Sequence, residues 1–563
     1  MKFGRPRGPS QAKILIVGEA FGQNEEAAGV PFVGESGKEL GRMLSEAGIS
    51  ESDCRFTNVL NTRPPNNDFE STWMFSSKKA AIESKESHEY INGRYCKSIV
   101  VEGIRTLQRE IETCDPNVIV PLGNIPLWAT TGYSGITKWR RSEISARINN
   151  RTWKVVPTYH PAYILRSWEE RPIAVQDFRI IRRESDYPDV RIPAYDFLLR
   201  PNLDDVLEYV LALEERLPAP IAVDIETRSR QIACIGLARS PLSAICIPIQ
   251  SVESSTGSYW TIEEEVEIVW TLKRLLTKAH VIGQNFHYDN QYFARNYGFL
   301  CNLCDDTIHK QAVAFPGLPK GLDFLSSMYR EHHTYWKDEG KNWDPRTTGE
   351  DQLWSYNCMD AVATYECNTV LEAVVSGFKL LPQYRERLLT QRNALTMMLR
   401  GVNSDMTAKL ELSSELHIGL GQLRKWWDEV VGYDIFGADK KKKPEKIPGI
   451  SSKKAMKLCY EVFDLPKKFA GIKSKRRLTA NKEAMQEWEE TCDPIIRPLL
   501  AAIRHYRSML VFKSTFADQP LDHDNRWRCT NNAGLADTFR WTTSEDAFGF
   551  GTNLQNIPKG DER

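Results

Sequence analysis

The chain has 563 residues, with 74 lysine and arginine residues against 74 aspartate and glutamate residues, and therefore a formal net charge of zero. This balance argues against a basic coat over the whole protein, although local basic stripes are compatible with it. With 41% hydrophobic and 26% charged residues, the composition is typical of a globular protein and excludes wholesale disorder. At roughly 100–200 residues per domain, the length predicts about three to five domains.

The sequence also argues against a membrane-bound or exported protein. No stretch approaches the roughly 18 uncharged apolar residues that a transmembrane helix needs, so we expect no membrane partner. The first residues, MKFGRPRGPSQAK, lack the apolar segment of a secretory signal. The 12 cysteines are too few over this length for a disulfide framework and indicate reduced thiols. We therefore expect a cytoplasmic location.

Strand-like apolar runs alternate with helical patterns over the first part of the chain. Ile14–Val17 leads to Glu19, Val118–Val120 leads to a PLG turn, and Val155–Thr158 leads to His160. This alternation predicts an α/β domain with a parallel sheet, in which functional side chains gather at the carboxyl ends of the strands. The helical patterns between these strands cover residues 37–47 and 97–112.

A second set of strands follows a proline-containing linker. Ile221–Val223 leads directly to Asp224, and we expect Ile232–Leu237 and Ala244–Pro248 to be its neighbours. From about residue 262 the pattern turns helical. We therefore predict a multidomain α/β protein that ends in a mostly helical region. The predicted divisions are a first domain at residues 1–183, a linker at 184–202, a second domain at 203–375 and a third region at 376–563.

Four carboxylates and a tyrosine recur in three short strings of the second domain. Asp224 and Glu226 are two residues apart on a strand, which points both carboxylates to the same face. Asp289 closes the string GQNFHYD, and in YNCMD the residues Tyr356 and Asp360 are one helical turn apart. Such hard oxygen ligands suit Mg²⁺ or Mn²⁺. Two metal ions about 3.5–4 Å apart can activate a water against a phosphodiester.

In this order, DIET, GQNFHYD and YNCMD resemble the three motifs of the DEDD-type 3′–5′ exonucleases, tyrosine subclass, and most closely the proofreading domain of A-family DNA polymerases. The resemblance implies an RNase H-like α/β domain in which Asp289 serves the second metal largely through water and Tyr356 orients the attacking water. It also implies that Asn285 and Phe286 help to hold a frayed DNA strand. The implied catalytic residues are Asp224, Glu226, Asp289, Tyr356 and Asp360, and the four carboxylates among them are the implied metal ligands.

The first domain carries a second set of polar residues, in the strings GEAFGQNEEAAGVPFVGESG, TNVLNTRPPNN and TYHPAYILR. These strings resemble the uracil-DNA glycosylase superfamily, most closely its family-four type, over about residues 11–180. The resemblance implies base flipping followed by hydrolysis of the N-glycosidic bond. The implied roles are water positioning by Glu19, stacking on the flipped base by Phe32, recognition of the base edge by Asn58, a second polar contact from Asn67, and stabilisation of the leaving anion by His160.

Cysteine usage departs from the pattern of this glycosylase family. Its members usually bind a four-iron cluster through four cysteines, but the N-terminal cysteine pair is missing here and Thr62 stands where the family has cysteine before RPP. Cys96 matches the last ligand, and one cysteine cannot hold a cluster. We therefore expect no iron–sulfur cluster. The single pair Cys301 and Cys304 lacks a second pair for zinc and is read as two ordinary thiols.

The last region resembles the entrance to a polymerase domain. NLQNIP, within TFRWTTSEDAFGFGTNLQNIP, resembles the thumb-to-palm entry of A-family DNA polymerases, and HYRSMLVFKSTF resembles the thumb helix. The resemblance implies phosphate contacts from Arg507, Lys513 and Arg540. The palm aspartates and the fingers helix of that family have no counterpart in the printed sequence, so we expect no primer extension by this chain alone. A truncated product and a split polymerase, with palm and fingers on a second polypeptide, both remain open.

The leading prediction is the N-terminal portion of a phage-type A-family replicative DNA polymerase with 3′–5′ proofreading activity and a glycosylase-like module. Its expected partners are single-stranded 3′ ends, primer–template DNA and a polypeptide that carries the palm and fingers, in the cytoplasm of a bacterial or phage-infected cell. The first alternative is a free-standing repair enzyme that excises uracil and trims ends. The second is a non-catalytic DNA-binding subunit of a polymerase, which the complete carboxylate set disfavours.

Overall fold

The structure is a computed structural model that describes residues 4–341, 343–437, 447–471 and 476–557. The chain forms two compact units, which meet between Leu388 and Leu389. The first unit contains two α/β domains, each built on its own sheet. Among the described residues, every helix is too short or too polar to cross a bilayer.

The first domain is built on a five-stranded, mainly parallel sheet. Residues of Ile14–Ala20 alternate between two hydrophobic cores: Leu15 and Val17 pack on one face, and Ile14 and Ile16 pack on the other. Period-two alternation of this kind is required of a central strand that is covered on both sides. In spatial order the strands are Cys54–Leu60, Ile14–Ala20, Val118–Pro121, Arg151–Val155 and Ile144–Ile148, with the last antiparallel to its neighbour.

Helices cover both faces of this first sheet. Ser98–Cys114 packs on the face of Leu15 and Val17, while Glu35–Glu46 and Arg171–Glu184 pack on the opposite face. The remaining helices are Gln23–Ala28, Phe69–Trp73, Lys78–Glu83, Asn124–Thr131, Ile136–Trp139 and Pro161–Ile164, with short 3-10 turns at Glu51–Asp53, Pro65–Asn67 and Trp168–Glu170. A small antiparallel sheet joins Met74–Phe75, Arg94–Lys97 and His88–Ile91.

The second domain is built on a six-stranded mixed sheet. Its centre is an antiparallel meander of three strands, and shorter parallel strands extend both edges. One edge strand, Asp196–Leu198, lies inside the segment that we predicted to be a linker, because it pairs with Ser243–Pro248 and extends the sheet. In spatial order the strands are Leu303–Asp306, Val281–Gly283, Ile221–Arg228, Gln231–Ala238, Ser243–Pro248 and Asp196–Leu198.

The long helix Asp351–Gly377 crosses this second sheet. Its residues Trp354, Cys358 and Val362 pack against Ala222 and Cys246 of the sheet. The helices Leu203–Glu215 and Ile262–Leu276 each begin at a capping box, which satisfies the first free backbone N–H groups. The other helices are His287–Tyr292 with a π-turn at Phe293–Tyr297, Thr307–Ala314, Leu322–Tyr329, Lys337–Lys341 and Pro345–Thr348; Leu381–Arg400 runs on into the second unit.

The second unit is mostly helical within its described residues, as predicted. Its core joins Leu420 and Trp427 to Met485, Trp488 and Leu500. The helices are Met406–Val430, Ser452–Lys457 with a π-turn at Leu458–Val462, Lys482–Thr491, and Arg497–Phe512 with a π-turn at Lys513–Ala517. Short strand pairs join Val402–Asn403 to Arg526–Trp527, Phe469–Ala470 to Arg477–Leu478, and Thr530–Asn532 to Thr542–Ser544, and a 3-10 turn covers Leu554–Asn556.

Most predicted strands are confirmed with small shifts in their ends, but one is displaced. The strand predicted at 155–158 lies instead at Arg151–Val155, as part of a hairpin with Ile144–Ile148. Pro157 has no backbone N–H to donate to a ladder, and only Thr158 rejoins the sheet, through a bridge to Leu122. The strand Cys54–Leu60 was not predicted at all, although it carries Asn58.

A buried ion pair connects the two α/β domains. The guanidinium of Arg140 donates to both carboxylate oxygens of Asp177 and to Ser327 Oγ of the second domain, and Arg140 is 1% exposed. Thr158 Oγ1 donates to Asp177 Oδ2 at 2.7 Å. The Asp177 carboxylate therefore accepts hydrogen bonds from both the buried Arg140 guanidinium and the Thr158 hydroxyl.

We expect Asp177→Ala to lower the free energy of unfolding of the first unit by about 3–5 kcal/mol, because it leaves a buried guanidinium without its counter-charge. The measurement is urea-induced unfolding of the full chain. Glu102→Ala is the control, since Glu102 forms an exposed ion pair with Arg109, and we expect a change below about 1 kcal/mol. Equal changes in the two variants would contradict the assigned role of Asp177.

Candidate functional site

Three carboxylates converge beside the middle of the strand Ile221–Arg228 of the second domain, which continues past Asp224 rather than ending before it as predicted. Asp224, Glu226 and Asp360 each offer an oxygen atom, and these three atoms lie within 4.8 Å of one another. Asp224 and Glu226 are half-buried on the strand Ile221–Arg228, while Asp360 is buried on the long helix. Oxygens at this spacing are within reach of one hard divalent cation.

The electrostatics of this carboxylate group favour the binding of a cation. Desolvation, followed by the charge of Asp360, raises the pKa of Asp224 to about 8. Desolvation, followed by the charges of Asp224 and Asp360, raises the pKa of Glu226 well above its ordinary value. Both shifts express the cost of holding like charges together away from water. A bound divalent cation would offset that cost, so the donor set fits a hard divalent cation.

Asn357 fixes the long helix to the strand that carries Asp224. Its Nδ2 donates to Asp224 Oδ2 at 2.8 Å and to the Asp224 carbonyl oxygen at 3.2 Å. Gly236 lies opposite Asp224 in the neighbouring strand, and a Cβ there would lie 2.7 Å from Asn357 Oδ1. Asn357 was not among the residues predicted from the sequence, although it stands inside the string YNCMD. A glycine in a strand interior was the available signal, since it often marks a close approach.

Asp289 lies beside the carboxylate group rather than within it. Its Oδ1 accepts a hydrogen bond from the backbone N–H of Ile225, between Asp224 and Glu226, at 3.1 Å. Desolvation, followed by the charge of Asp224, raises the pKa of Asp289 well above its ordinary value. This position suits a carboxylate that acts on a metal through an intervening water.

Two residues that the sequence did not point to hold both oxygens of Asp360. Trp336 Nε1 donates to Asp360 Oδ1 at 2.7 Å, and Lys337 Nζ donates to Asp360 Oδ2. Lys337 Nζ also donates to Tyr356 Oη at 3.1 Å. The short helix that begins at Lys337 packs closely on Tyr356, because a Cβ at Gly340 would lie 2.7 Å from the tyrosine ring.

The two predicted DNA contacts of this domain occupy different environments. Asn285 is half-buried at φ +59°, and its backbone N–H donates to Asp306 Oδ1. Phe286 is 0% exposed and packs near Phe293. The burial of Phe286 does not match the prediction that it touches a frayed strand; its apolar ring belongs to the core that supports the loop.

All five residues predicted for the first domain line one cavity of about 980 Å³. Glu19 is the last residue but one of its strand, and Asn58 lies on the neighbouring strand with Gly18 as its register partner. A Cβ at Gly18 would lie 2.2 Å from Asn58 Oδ1 and 2.7 Å from the ring of Phe32, so only glycine leaves room for both. The residues that line the cavity include Glu19, Phe32, Asn58, Asn67 and His160.

Charge and tautomer in this cavity are set by desolvation and by local hydrogen bonds. Desolvation, followed by the charges of Glu70 and Asp68, raises the pKa of Glu19 to about 7. Desolvation lowers the pKa of His160 to about 4, so its ring is neutral near pH 7. Its Nδ1 accepts a hydrogen bond from the Ala162 N–H at 3.1 Å, which leaves the proton on Nε2.

The loop that carries Phe32 is held in an uncommon conformation. Phe32 has φ +57° and is buried, with its ring centroid 6.2 Å from that of His160. Glu25 Oε1 accepts from the backbone N–H groups of Val33 and Gly34, at 3.0 and 2.8 Å. A positive φ at a bulky residue stores strain, which such contacts must offset. Sequence analysis missed this supporting role of Glu25.

Two of the three basic residues predicted to contact DNA in the second unit make contacts within that unit. Arg507 donates to the Ala480 carbonyl oxygen, and Lys513 donates to Asp518 Oδ1 and to Ser413 Oγ. Arg540 is exposed. The phosphate contacts of all three remain predictions, and Arg540 has the most accessible side chain. Pro558, which closes NLQNIP, lies outside the described residues.

Family comparisons match both α/β domains. A model of the uracil DNA glycosylase superfamily matches residues 5–180, and a 3′–5′ exonuclease model matches residues 202–376. The type-4 uracil-DNA glycosylase of Saccharolobus solfataricus is 31% identical over 185 residues, 31% of this chain and 72% of that protein. The counterpart in Sulfurisphaera tokodaii is 33% identical over 181 residues, 31% of this chain and 71% of that protein.

Polymerases are also among the similar proteins. A DNA polymerase of Bacillus phage SP01 is 28% identical over 178 residues, which are 31% of this chain and 16% of that protein. A solved structure of the POL domain of Pol1 from M. smegmatis, in complex with DNA primer-template and dNTP, aligns at TM-score 0.45 and 19% identity, over 65% of this chain and 56% of that one. The matches to both α/β domains confirm the two family resemblances: the chain belongs to the uracil-DNA glycosylase superfamily through its first domain and carries a 3′–5′ exonuclease domain in its second.

Proposed function

We propose that the second domain removes nucleotides from the 3′ ends of DNA by hydrolysis with two Mg²⁺ or Mn²⁺ ions. The observation that carries this proposal is the group of three carboxylates, Asp224, Glu226 and Asp360, whose oxygens lie within 4.8 Å in a domain of the exonuclease family. These residues would hold the metals, with Asp289 contributing through water. When bound, the metals would activate the attacking water and stabilise the negative charge on the leaving oxygen.

The remaining side chains orient the reactants. Tyr356 lies one helical turn before Asp360, and both side chains accept a hydrogen bond from Lys337 Nζ, so that Tyr356 Oη is placed to orient the attacking water. Asn357 holds Asp224 at a fixed distance from the long helix, so that the carboxylates keep their spacing during turnover. In the polymerase setting that the sequence resembles, the substrate is a mispaired primer end that has frayed from its template.

Asp360→Asn removes a charge from the metal group without changing its volume. We expect the rate of shortening of a 5′-labelled single-stranded oligonucleotide to fall about 10³-fold, because metal ions supply several kcal/mol of transition-state stabilisation. Asp351→Asn is the matched control on the same helix, since Asp351 pairs with Arg200 at the surface, and we expect it to keep the wild-type rate. A wild-type rate in Asp360→Asn would mean that the metals lie elsewhere.

We propose uracil excision from DNA as a second function, carried by the first domain. The observation in its favour is that Glu19, Phe32, Asn58 and His160 line one cavity, with the His160 proton on Nε2. In this arrangement Asn58 reads the edge of a flipped base, Phe32 stacks on it, and His160 donates a hydrogen bond to the departing uracil anion. Glu19 accepts a proton from the attacking water.

Glu19→Gln tests this second function. We expect it to reduce uracil release at least about 10²-fold, because the attacking water loses its general base, and to leave oligonucleotide shortening unchanged. Glu26→Gln is the control, since Glu26 is an exposed partner of Arg63. The measurement is release of labelled uracil from single-stranded DNA. No release by the wild type would remove the glycosylase proposal and leave a domain that only binds or supports.

The pH dependence of uracil release follows from the same cavity. The pKa of Glu19 is raised to about 7, and the base acts only when ionised. Release by the wild type should therefore rise between about pH 6 and pH 8 and then level off. His160, with its pKa lowered to about 4, is neutral throughout this range. A rate that is flat from pH 6 to 8 would contradict the assignment of Glu19 as base.

We further propose that the first domain holds no iron–sulfur cluster. Cys96, which is buried on a strand of the small sheet, is the single cysteine at a position where the family has a cluster ligand, and one thiolate cannot hold a four-iron cluster. Thr62 is buried at the position of a second family ligand. Iron analysis of the purified protein should find no stoichiometric iron, and a brown, iron-loaded protein would overturn this proposal.

The second unit is proposed to act beside a polymerase palm and fingers, supplied by a second polypeptide or by a further part of the same one. The support is the string NLQNIP and the helix Arg497–Phe512, which resemble the thumb of A-family polymerases. Primer–template DNA is then the shared ligand of both units' activities. A primer-extension assay with this chain and all four nucleotides should show shortening without extension. Extension by the purified chain would contradict the need for a further palm.

A further inference from the structure

One segment runs from the glycosylase-like domain to the exonuclease site. We call residues 332–338 the bridging segment. Its backbone is hydrogen-bonded to the first domain: Glu143 N–H donates to the His333 carbonyl oxygen at 2.7 Å, and Tyr335 N–H donates to Ser142 Oγ at 3.1 Å. Thr334 Oγ1 donates to the Glu143 carbonyl oxygen at 2.9 Å. Three consecutive residues of the bridging segment, His333, Thr334 and Tyr335, therefore form hydrogen bonds with the first domain.

The helix before the bridging segment is anchored in the same way. The guanidinium of Arg141, which is 3% exposed, donates to the carbonyl oxygens of Ser326, Ser327 and Arg330 at the end of Leu322–Tyr329. The last carbonyls of a helix lack intrahelical partners, and here an arginine from another domain donates to them. A guanidinium buried at this depth is costly to leave without partners.

The other end of the bridging segment reaches the carboxylate group. Trp336 and Lys337, which directly follow the anchored Tyr335, hold the two oxygens of Asp360. The next residue, Asp338, returns to the first domain, where its carboxylate lies 3.0 Å from Lys138 Nζ. Trp336 and Lys337 therefore lie between two residues, Tyr335 and Asp338, that contact the first domain.

We propose that the glycosylase-like domain is a structural part of the exonuclease site: by anchoring the bridging segment it places Trp336 and Lys337, which act as positioning residues for Asp360 and Tyr356. This inference rests on the proposed exonuclease function of the carboxylate group. It gives the first domain a role that does not require uracil excision.

The charge of Lys337 beside Asp360 allows a positioning role to be distinguished from a purely structural one. Lys337 brings a positive charge to the space where a divalent cation binds, so it opposes cation binding while it orients Asp360 and Tyr356. Removing the charge should therefore tighten cation binding and slow the reaction at once. A residue that only stabilised the fold would weaken both.

Lys337→Met tests the site end of the bridging segment. We expect kcat for oligonucleotide shortening to fall about 20-fold with KM for DNA within twofold, and Mn²⁺, titrated without DNA and followed by electron paramagnetic resonance, to bind about tenfold more tightly. Lys341→Met, an exposed lysine on the same short helix, is the matched control and should change neither value. An unchanged kcat, or weaker Mn²⁺ binding together with a lowered unfolding midpoint, would overturn the proposal.

Lys138→Glu tests the end of the bridging segment that contacts the first domain, through the ion pair of Lys138 with Asp338. Repulsion from Asp338 should displace the bridging segment, lower kcat about fivefold and tighten Mn²⁺ binding. The charge-reversed pair Lys138→Glu with Asp338→Lys should restore both values. Lys79→Glu, a surface reversal elsewhere in the first domain, is the control. A loss that the second substitution does not restore would overturn the proposed coupling.

These experiments separate failure of the inference from failure of the proposed function. If the wild type shortens no DNA, the exonuclease proposal fails on its own. The Mn²⁺ affinities of Lys337→Met, Lys138→Glu and the reversed pair still report whether the first domain positions the carboxylate group. Identical Mn²⁺ affinities in all variants would then overturn the inference as well.

Discussion

Repulsion among Asp224, Glu226 and Asp360 is the constraint around which the second domain is arranged. Ionising three carboxylates whose oxygens lie within 4.8 Å, and which are partly shielded from water, costs free energy unless a positive charge compensates them. The strand fixes two of them, the long helix brings the third, and Asn357 sets the distance between strand and helix. In the structure Lys337 supplies the positive charge, in contact with Asp360. A site assembled in this way suits metal-dependent hydrolysis.

In the first domain, the constraint is desolvation of the side chains in the cavity at the carboxyl ends of its parallel strands. Its parallel strands end in a cavity, where desolvation keeps Glu19 close to neutrality and His160 uncharged. Function at the carboxyl ends of parallel strands is common to such sheets. The buried Arg140 and Arg141 then tie this domain to the exonuclease domain. A change at this contact between the domains is therefore expected to reach the exonuclease site.

Residues with strong local signals were predictable from the sequence. Asp224 follows an apolar strand, Tyr356 and Asp360 are one turn apart, and the glycosylase strings carry Glu19 and His160 near strand ends. Motif order then identified both families, and the structure brings the predicted pocket residues into one cavity.

Residues whose roles depend on distant contacts were not predictable in the same way. Trp336 and Lys337 belong to no recognisable string, and their importance arises from a contact with Asp360 more than 20 residues away. Phe286 lies inside a motif, yet its environment is a core that sequence alone does not reveal. The edge strand Asp196–Leu198 lies in a proline-containing stretch. It forms because the backbone of Ser243–Pro248 offers it hydrogen-bonding partners, which the local sequence does not reveal.

The most direct test of the carboxylate site uses a 5′-labelled primer–template with a single-stranded 3′ tail and Mg²⁺. The wild type and the double variant Asp224→Ala with Glu226→Ala are compared at equal concentration, after both are shown to be folded. The account predicts that the wild type shortens the primer from its 3′ end and that the double variant leaves it intact. Shortening by the double variant at the wild-type rate would contradict it.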